Sequence, residues 1–140
     1  RAYFGEKDYQ QLIIVKRMAR DLGIRSRIVG CPTVREADGL AVSSRNAYLS
    51  PEERSLAPAI RRALLRVARE ALGGAVPTPG RVVALARREL RRIPGSRLDY
   101  AGLADAATLE EPVRLEGRLR LLAAVRLGRA RLIDNIPLSC

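Results

Sequence analysis

Residues 1–30 read RAYFGEKDYQQLIIVKRMARDLGIRSRIVG, and this stretch decides the fold. Ala2-Tyr3-Phe4 reads as the end of a short buried strand, with Gly5 as a turn residue after it. A helix is expected from about Asp8 to Leu22, stopped by Gly23. Its apolar stripe is Leu12, Val15, Ala19 and Leu22, with Ile14 and Met18 beside it. The segment Ile24 to Val29 alternates Ile24, Ser26, Ile28 and reads as a second strand. Strand, loop, helix and strand in that order make a piece of a parallel α/β sheet. Ligands bind such sheets at the carboxyl ends of the strands, which is where Gly5 to Asp8 lies.

Outward from this stretch, residues 30–50 carry loop signals: Gly30, Pro32, Asp38-Gly39 and Ser43-Ser44. Ser50-Pro51-Glu52-Glu53 then reads as a helix start, with Ser50 as N-cap and Glu53 as capping-box partner. Pro58 should restart that helix, and Ile60, Leu64, Val67 and Ala71 form its stripe up to Gly73-Gly74. Thr78-Pro79 opens another helix, with Val83, Ala86, Leu90 and Ile93 inward and Pro94-Gly95 as the stop. Strands are expected near 97–103, 118–126 and 130–137, with Gly128-Arg129 as a hairpin turn. The organisation changes near residues 32–33. Residues 1–32 hold too few strands for a complete doubly wound sheet, and residues 33–140 read as an α+β unit.

A length of 140 residues suits one domain with a real core, and 47% apolar with 29% charged residues is globular composition. No apolar run reaches the ~18 residues of a membrane span, and no signal peptide is visible. Cys31 and Cys140 are too few and too far apart in sequence for a disulfide framework, and a cytoplasmic chain with free thiols is expected. The chain starts at Arg1 and reads as a fragment or processed product. Its formal net charge of +11 invites a nucleic-acid reading. However, the excess is spread along the chain, much of it on expected helix faces such as Arg61, Arg62, Arg66, Arg69, Arg87, Arg88, Arg91 and Arg92. Aromatic residues make up 4% and none is interleaved with these arginines as a stacking platform would need. No nucleic-acid partner is therefore expected, although a basic nucleic-acid module and a non-catalytic interaction domain remain the alternative readings.

Two polar loops carry the chemistry. In Gly5-Glu6-Lys7-Asp8, the glycine allows a sharp turn and close approach to a ligand. Lys7 is one of two lysines in a chain that otherwise uses arginine, and offers a compact point charge. The helix N-terminus beyond it favours anions. Asp8 and Gln11 also have capping-box spacing, and Lys7 alone could be a solvated surface residue. In Val42-Ser43-Ser44-Arg45-Asn46, hydroxyls, backbone N–H groups and a guanidinium suit a polyphosphate. It lacks the P-loop pattern, and a polar connector is its bland reading.

The stretch Phe4 to Leu12, followed by Pro32-Thr33-Val34-Arg35-Glu36-Ala37-Asp38-Gly39-Leu40-Ala41-Val42-Ser43-Ser44-Arg45-Asn46, closely resembles the pantothenate synthetase (pantoate-beta-alanine ligase) family. Ala130-Arg131-Leu132-Ile133-Asp134-Asn135 is similar to that family's C-terminal strand. The resemblance implies an α/β fold: the C-terminal part of a Rossmann-like nucleotidyltransferase domain over 1–32, then a small α+β lid domain over 33–140. It implies a ligase that joins pantoate to beta-alanine through a pantoyl adenylate, using ATP and Mg²⁺ and releasing AMP and pyrophosphate. By position, it implies ATP binding at Gly5, Glu6, Lys7, Asp8, Val34, Val42, Ser43, Ser44 and Arg45, with Lys7 catalytic. It implies pantoate binding at Gln11, no protein metal ligands, no membrane partner and a homodimeric parent enzyme.

The family's His-x-Gly-His type loop lies upstream of the matching region, and this chain has no histidine. Val42 stands where the family usually has Leu or Met. The 140 residues by themselves are therefore expected to bind nucleotide weakly and to show little or no ligase activity.

Overall fold

The computed structural model describes residues 1–139. Strand β1 (Ala2–Gly5) leads through a 3-10 turn (Glu6–Asp8) into helix α1 (Tyr9–Asp21), and strand β2 (Ile28–Cys31) returns parallel to β1. Gly5 pairs with Cys31, so the strand reaches one residue further than the sequence suggests. Among the described residues the Cys31 thiol is free, and Cys140 lies outside them. Strand β2 begins at Ile28, not Ile24. Gly23 takes φ +62, and the Ile24 N–H bonds back to the Ala19 carbonyl at 2.8 Å while the Gly23 N–H bonds to that of Arg20 at 3.1 Å. This double closure is a Schellman cap, so Ile24 belongs to the end of the helix.

The buried face of α1 is Tyr9, Leu12, Ile13 and Ala19. Ile14, Met18 and Leu22, placed in or beside the expected stripe, are exposed, and Val15 is half-buried. Residues 9, 12 and 13 lie on one side of the first turn, where they meet Ala104 and Leu122 of the second sheet. The capping box expected of Asp8 is not formed, because the 3-10 turn carries the chain into the helix and Asp8 makes no side-chain cap.

The chain beyond Ser50 follows its punctuation closely. Helix α2 (Pro51–Leu56) opens with the Ser50–Glu53 capping box, at 3.2 Å from the Glu53 N–H to Ser50 Oγ and 2.9 Å from the Ser50 N–H to Glu53 Oε2. Pro58 stands at the N-cap of helix α3 (Ala59–Leu72), which buries Ile60, Leu64, Val67 and Ala71. Thr78 caps helix α4 (Pro79–Arg91), whose inner face is Val82, Leu85, Ala86 and Leu90 with Ile93 beyond, while Val83 is half-buried. Glu89 on α4 is also buried. Arg66 and Arg92 reach its carboxylate at 2.7 and 2.9 Å.

Strands β3 (Ser96–Asp105), β4 (Arg118–Leu127) and β5 (Ala130–Ser139) form an antiparallel sheet in that order. The pleat sends alternate residues to opposite faces. Leu119, Leu121, Ala123, Val125 and Leu127 of β4 join the core with α3 and α4. Leu122 joins α1 on the other face. Covered on both sides, β4 reads as a continuous apolar run and not an alternating one. Each fully buried leucine here contributes roughly 1.5–3 kcal/mol. The two-residue turn Gly128-Arg129 sets the β4–β5 register, pairing Leu127 with Ala130 and Leu122 with Asn135. Among the described residues, no helix is long and apolar enough to cross a membrane.

Candidate functional site

The first loop leaves the carboxyl end of β1 and is held by side chains from two strands, β4 and β5. The Glu6 carboxylate accepts from the Arg120 guanidinium at 2.9 Å. Arg120 in turn lies 3.9 Å above the Tyr9 ring, and the Tyr9 hydroxyl donates to the Ala106 carbonyl at 2.9 Å. From β5, the Asn135 side-chain amide donates to the carbonyls of Glu6 at 2.9 Å and Lys7 at 3.0 Å. One nitrogen thus fixes two consecutive carbonyls and leaves the Lys7 side chain to the adjoining cleft.

That cleft has a volume of about 230 Å³. Lys7, Asp8 and Gln11 line it on one side, and Tyr100, Arg131 and Asn135 on the other. Burial holds the Lys7 ammonium below its ordinary pKa of 10.5. The nearby Arg45 charge pushes the same way, while Asp8 and Asp134 oppose it. Lys7 is therefore a cation that burial has partly stripped of water, and an incoming anion would favour its charged form. Burial likewise raises the Tyr100 phenol and keeps it neutral.

The second loop is built on a tight turn. The Val42 N–H donates to the Val34 carbonyl at 3.0 Å and the Glu36 N–H to that of Leu40 at 2.8 Å. Gly39 turns the chain at φ +91 with the Arg61 side chain packed where a Cβ would stand. Ser43 Oγ then accepts from the Arg45 N–H at 3.2 Å and starts a 3-10 turn (Ser44–Tyr48). The Asn46 amide donates to the Ala41 carbonyl at 3.2 Å. The turn is anchored by Arg35, whose guanidinium meets the Asp134 carboxylate through two bonds of 2.8 Å and the Gly39 carbonyl at 3.1 Å.

The structure thus gathers Gly5, Glu6, Lys7, Asp8 and Gln11 at one end of the first sheet. Within that group Glu6 is committed to Arg120, which leaves Lys7, Asp8 and Gln11 facing the cleft. Val34 and Val42 are backbone neighbours and both exposed. Neither they nor Ser43, Ser44 and Arg45 line the cleft. Arg45 comes near enough to Lys7 for the two charges to interact.

The residues that join the two loops, Asp134 and Asn135, carry no role in the sequence reading. A signal for them is nonetheless present: an acid and an amide side by side in an apolar strand, Leu132-Ile133-Asp134-Asn135-Ile136. Arg35, Tyr100, Arg120 and Arg131 are equally unassigned there. A larger groove of about 700 Å³ runs along the other flank of α1 beside Arg17, Arg20 and Arg118, and of the residues predicted to act it contains none. Among the described residues, no group of three or more His, Cys, Asp or Glu side chains could hold a metal ion.

The sequence model of the pantoate-beta-alanine ligase family matches residues 1–137. A pantothenate synthetase of Rubrobacter xylanophilus is 54% identical over 139 residues, covering 99% of this chain and 47% of that protein. One of Rhodospirillum rubrum is 51% identical, covering 96% of this chain and 48% of that protein. The crystal structure of pantothenate synthetase from Thermus thermophilus superimposes with a TM-score of 0.89 at 47% identity, over 99% of this chain and 50% of that one. A ligase from Francisella tularensis, solved with a beta-gamma ATP ligand and beta-alanine, gives a TM-score of 0.62 at 28% identity, over 96% of this chain and 42% of that one. The chain spans about half the length of the curated relatives it matches.

Proposed function

The chain belongs to the pantoate-beta-alanine ligase family, and from that premise we propose that it carries the ATP-phosphate and lid elements of such a ligase. The observation that carries this reading is the convergence of two anion-suited loops on adjacent residues of β5, through Asn135 to Lys7 and through Asp134 and Arg35 to the turn before Arg45.

In this reading the acid substrate, pantoate, is activated by ATP to an acyl adenylate, and the amine of beta-alanine then displaces AMP. The protein's task in the first step is placement and charge stabilisation. Lys7 supplies a partly desolvated cation, whose charged form is favoured as negative charge grows on the phosphates. Arg45 supplies the second cation from the lid side. Gln11, on the cleft wall, offers an amide to a hydroxylated acid, and a site built to bond a hydroxyl discriminates well against analogues that lack it. Val34, exposed on the second turn, would offer its backbone to the adenine, and Val42 to Arg45 would close on the triphosphate. Mg²⁺ commonly binds through substrate phosphates with one or two protein carboxylates. The resemblance implies no protein ligand to the metal; of the two acids in the first loop, Asp8 is the one that could reach it from the cleft, since Glu6 is occupied by Arg120. The metal would neutralise phosphate charge. The adenylate needs shelter from water, which the 33–140 unit would give as a lid over the 1–32 unit. The parent enzyme in this reading is a cytoplasmic homodimer.

The test is pantoate-dependent exchange of pyrophosphate into ATP. The 140-residue chain should show little or none, because the cleft offers Lys7 and Gln11 without a histidine. The same sequence extended to the length of its relatives should exchange only with pantoate present, and should release AMP on adding beta-alanine. Exchange by the extended protein that ignores pantoate would overturn the ligase reading. Robust exchange by the 140-residue chain would overturn the claim that it is half a site.

A further inference from the structure

Asp134 and Asn135 are successive residues of β5, so the pleat turns them to opposite faces. Asn135 lies opposite Leu122, on the face that meets α1. Asp134 lies opposite Ala123, on the face of the α3–α4 core. Each residue holds one loop: Asn135 the carbonyls of Glu6 and Lys7, Asp134 the guanidinium of Arg35. The two holds are also joined to each other. Asp134 Oδ1 accepts both from Arg35, at 2.8 Å, and from the Asn135 backbone N–H, at 2.8 Å. Both residues are buried, at 6% and 4% exposure, so neither has room to change its bonds independently.

We propose that Asp134 and Asn135 act as one positioning device that couples the Lys7 loop to the turn carrying Arg45, so that the two loops open and close together. The coupling answers a specific electrostatic need. Lys7 and Arg45 repel, and each would drift from the other if its loop moved freely. A rigid strand step between them keeps both cations in register for a polyphosphate, which then meets them in a single event. The link runs Arg35, Asp134 carboxylate, Asn135 backbone, Asn135 amide, Lys7 carbonyl. Arg35 acts at a distance, since its recorded bonds are to Asp134 and Gly39 and not to the Lys7 loop. The ligand part of this proposal rests on the ligase reading; the mechanical part does not.

The test uses the side-chain amide of Asn135 as a reporter in nitrogen-15 NMR of the 140-residue chain. In the native protein its protons are bonded to two carbonyls, so their solvent exchange should be slowed. Arg35→Gln removes the bidentate pair on the opposite face of the strand. Coupling predicts that exchange at the Asn135 amide then rises about tenfold or more, together with exchange at the Val42 N–H; a tenfold change corresponds to about 1.4 kcal/mol. If only the Val42 N–H speeds up, Arg35 merely supports its own turn and the proposal fails. Because Arg35→Gln leaves a buried carboxylate, the same reading is taken in the double variant Arg35→Gln with Asp134→Asn. Independently of any variant, native-state exchange of the unaltered chain in rising urea should show Val42 N–H and the Asn135 amide opening with one shared urea dependence. Separate dependences overturn the proposal.

A nucleotide arm separates the two readings. With ATP and Mg²⁺, Arg35→Gln and Asn135→Ala should each raise the ATP Kd by a similar factor, and the combination should do little more than either alone. Independent, multiplying losses overturn the coupling. Absence of ATP binding in the unaltered chain counts against the nucleotide reading, and the exchange arm then judges the coupling without it.

Discussion

Arg35 and Asp134 stand 99 residues apart in sequence and share two hydrogen bonds of 2.8 Å. The Asp134 side chain is 6% exposed and that of Arg35 17%. Arg35→Ala should therefore destabilise the chain by about 3–5 kcal/mol, because the carboxylate stays buried without a partner. Arg35→Met combined with Asp134→Leu should recover most of that loss, since a similar volume is then filled without charge. Urea midpoints of the three variants check the order.

Asn135→Ala removes the donor from two carbonyls at once and should cost about 1–3 kcal/mol. Asn135→Asp should cost more, because a carboxylate would then face two carbonyl oxygens. Denaturation should show a lower midpoint with an unchanged slope, as expected when stability alone is affected.

Lys7 gives a prediction in pH. Burial lowers its pKa below 10.5 in the folded chain, so between the folded value and 10.5 the unfolded chain holds the extra proton. Stability of the ligand-free chain should rise with pH across that window. ATP affinity should fall across the same window as the ammonium is lost. Opposite slopes for unfolding and for ATP titration identify Lys7, and Lys7→Arg should flatten both because arginine keeps its charge.

At the β4–β5 turn, Gly128 takes φ +51 and the Glu53 carboxylate packs where a Cβ would stand. Gly128→Ala should cost about 1–2 kcal/mol for the left-handed backbone. Displacing Glu53 from its bond with the Ser50 N–H should add about 1 kcal/mol. A double-mutant cycle with Glu53→Ala should reveal the second term, since the combined loss is then smaller than the sum of the two.

Punctuation is the legible part of this chain. Ser50-Pro51, Thr78-Pro79, Pro58 and Gly128-Arg129 act within a few residues of themselves, so local chemistry suffices to place α2, α4, the restart at α3 and the β4–β5 turn. Faces are less legible. The sequence pattern around α1 admits two neighbouring stripes, and only the position of Leu122 and Ala104 selects Tyr9, Leu12 and Ile13 over Ile14, Met18 and Leu22. Ile24 reads as strand in the sequence because a Schellman cap consumes a hydrophobic residue just where a strand would begin.

The same division holds for the site. Gly5 to Asp8 and Val42 to Arg45 stand out because each is a compact run of anion-suited residues. The anchors do not, because Arg120 to Glu6 and Asn135 to Lys7 join residues more than a hundred positions apart. Such pairs are ordinary residues until the fold brings them together.

The placement of Asp134 and Asn135 on consecutive positions also constrains how lineages carrying this strand can vary in length. Inserting or deleting one residue between Gly128 and Asp134 would exchange the faces of acid and amide. An insertion would bring the carboxylate to the carbonyls of Glu6 and Lys7 and carry the amide past them, whereas a deletion would bring the amide to Arg35 and draw the carboxylate away. A single indel would therefore miswire both loops at once, whereas a length change in the turns joining α3 to α4 or β3 to β4 would leave both holds in place.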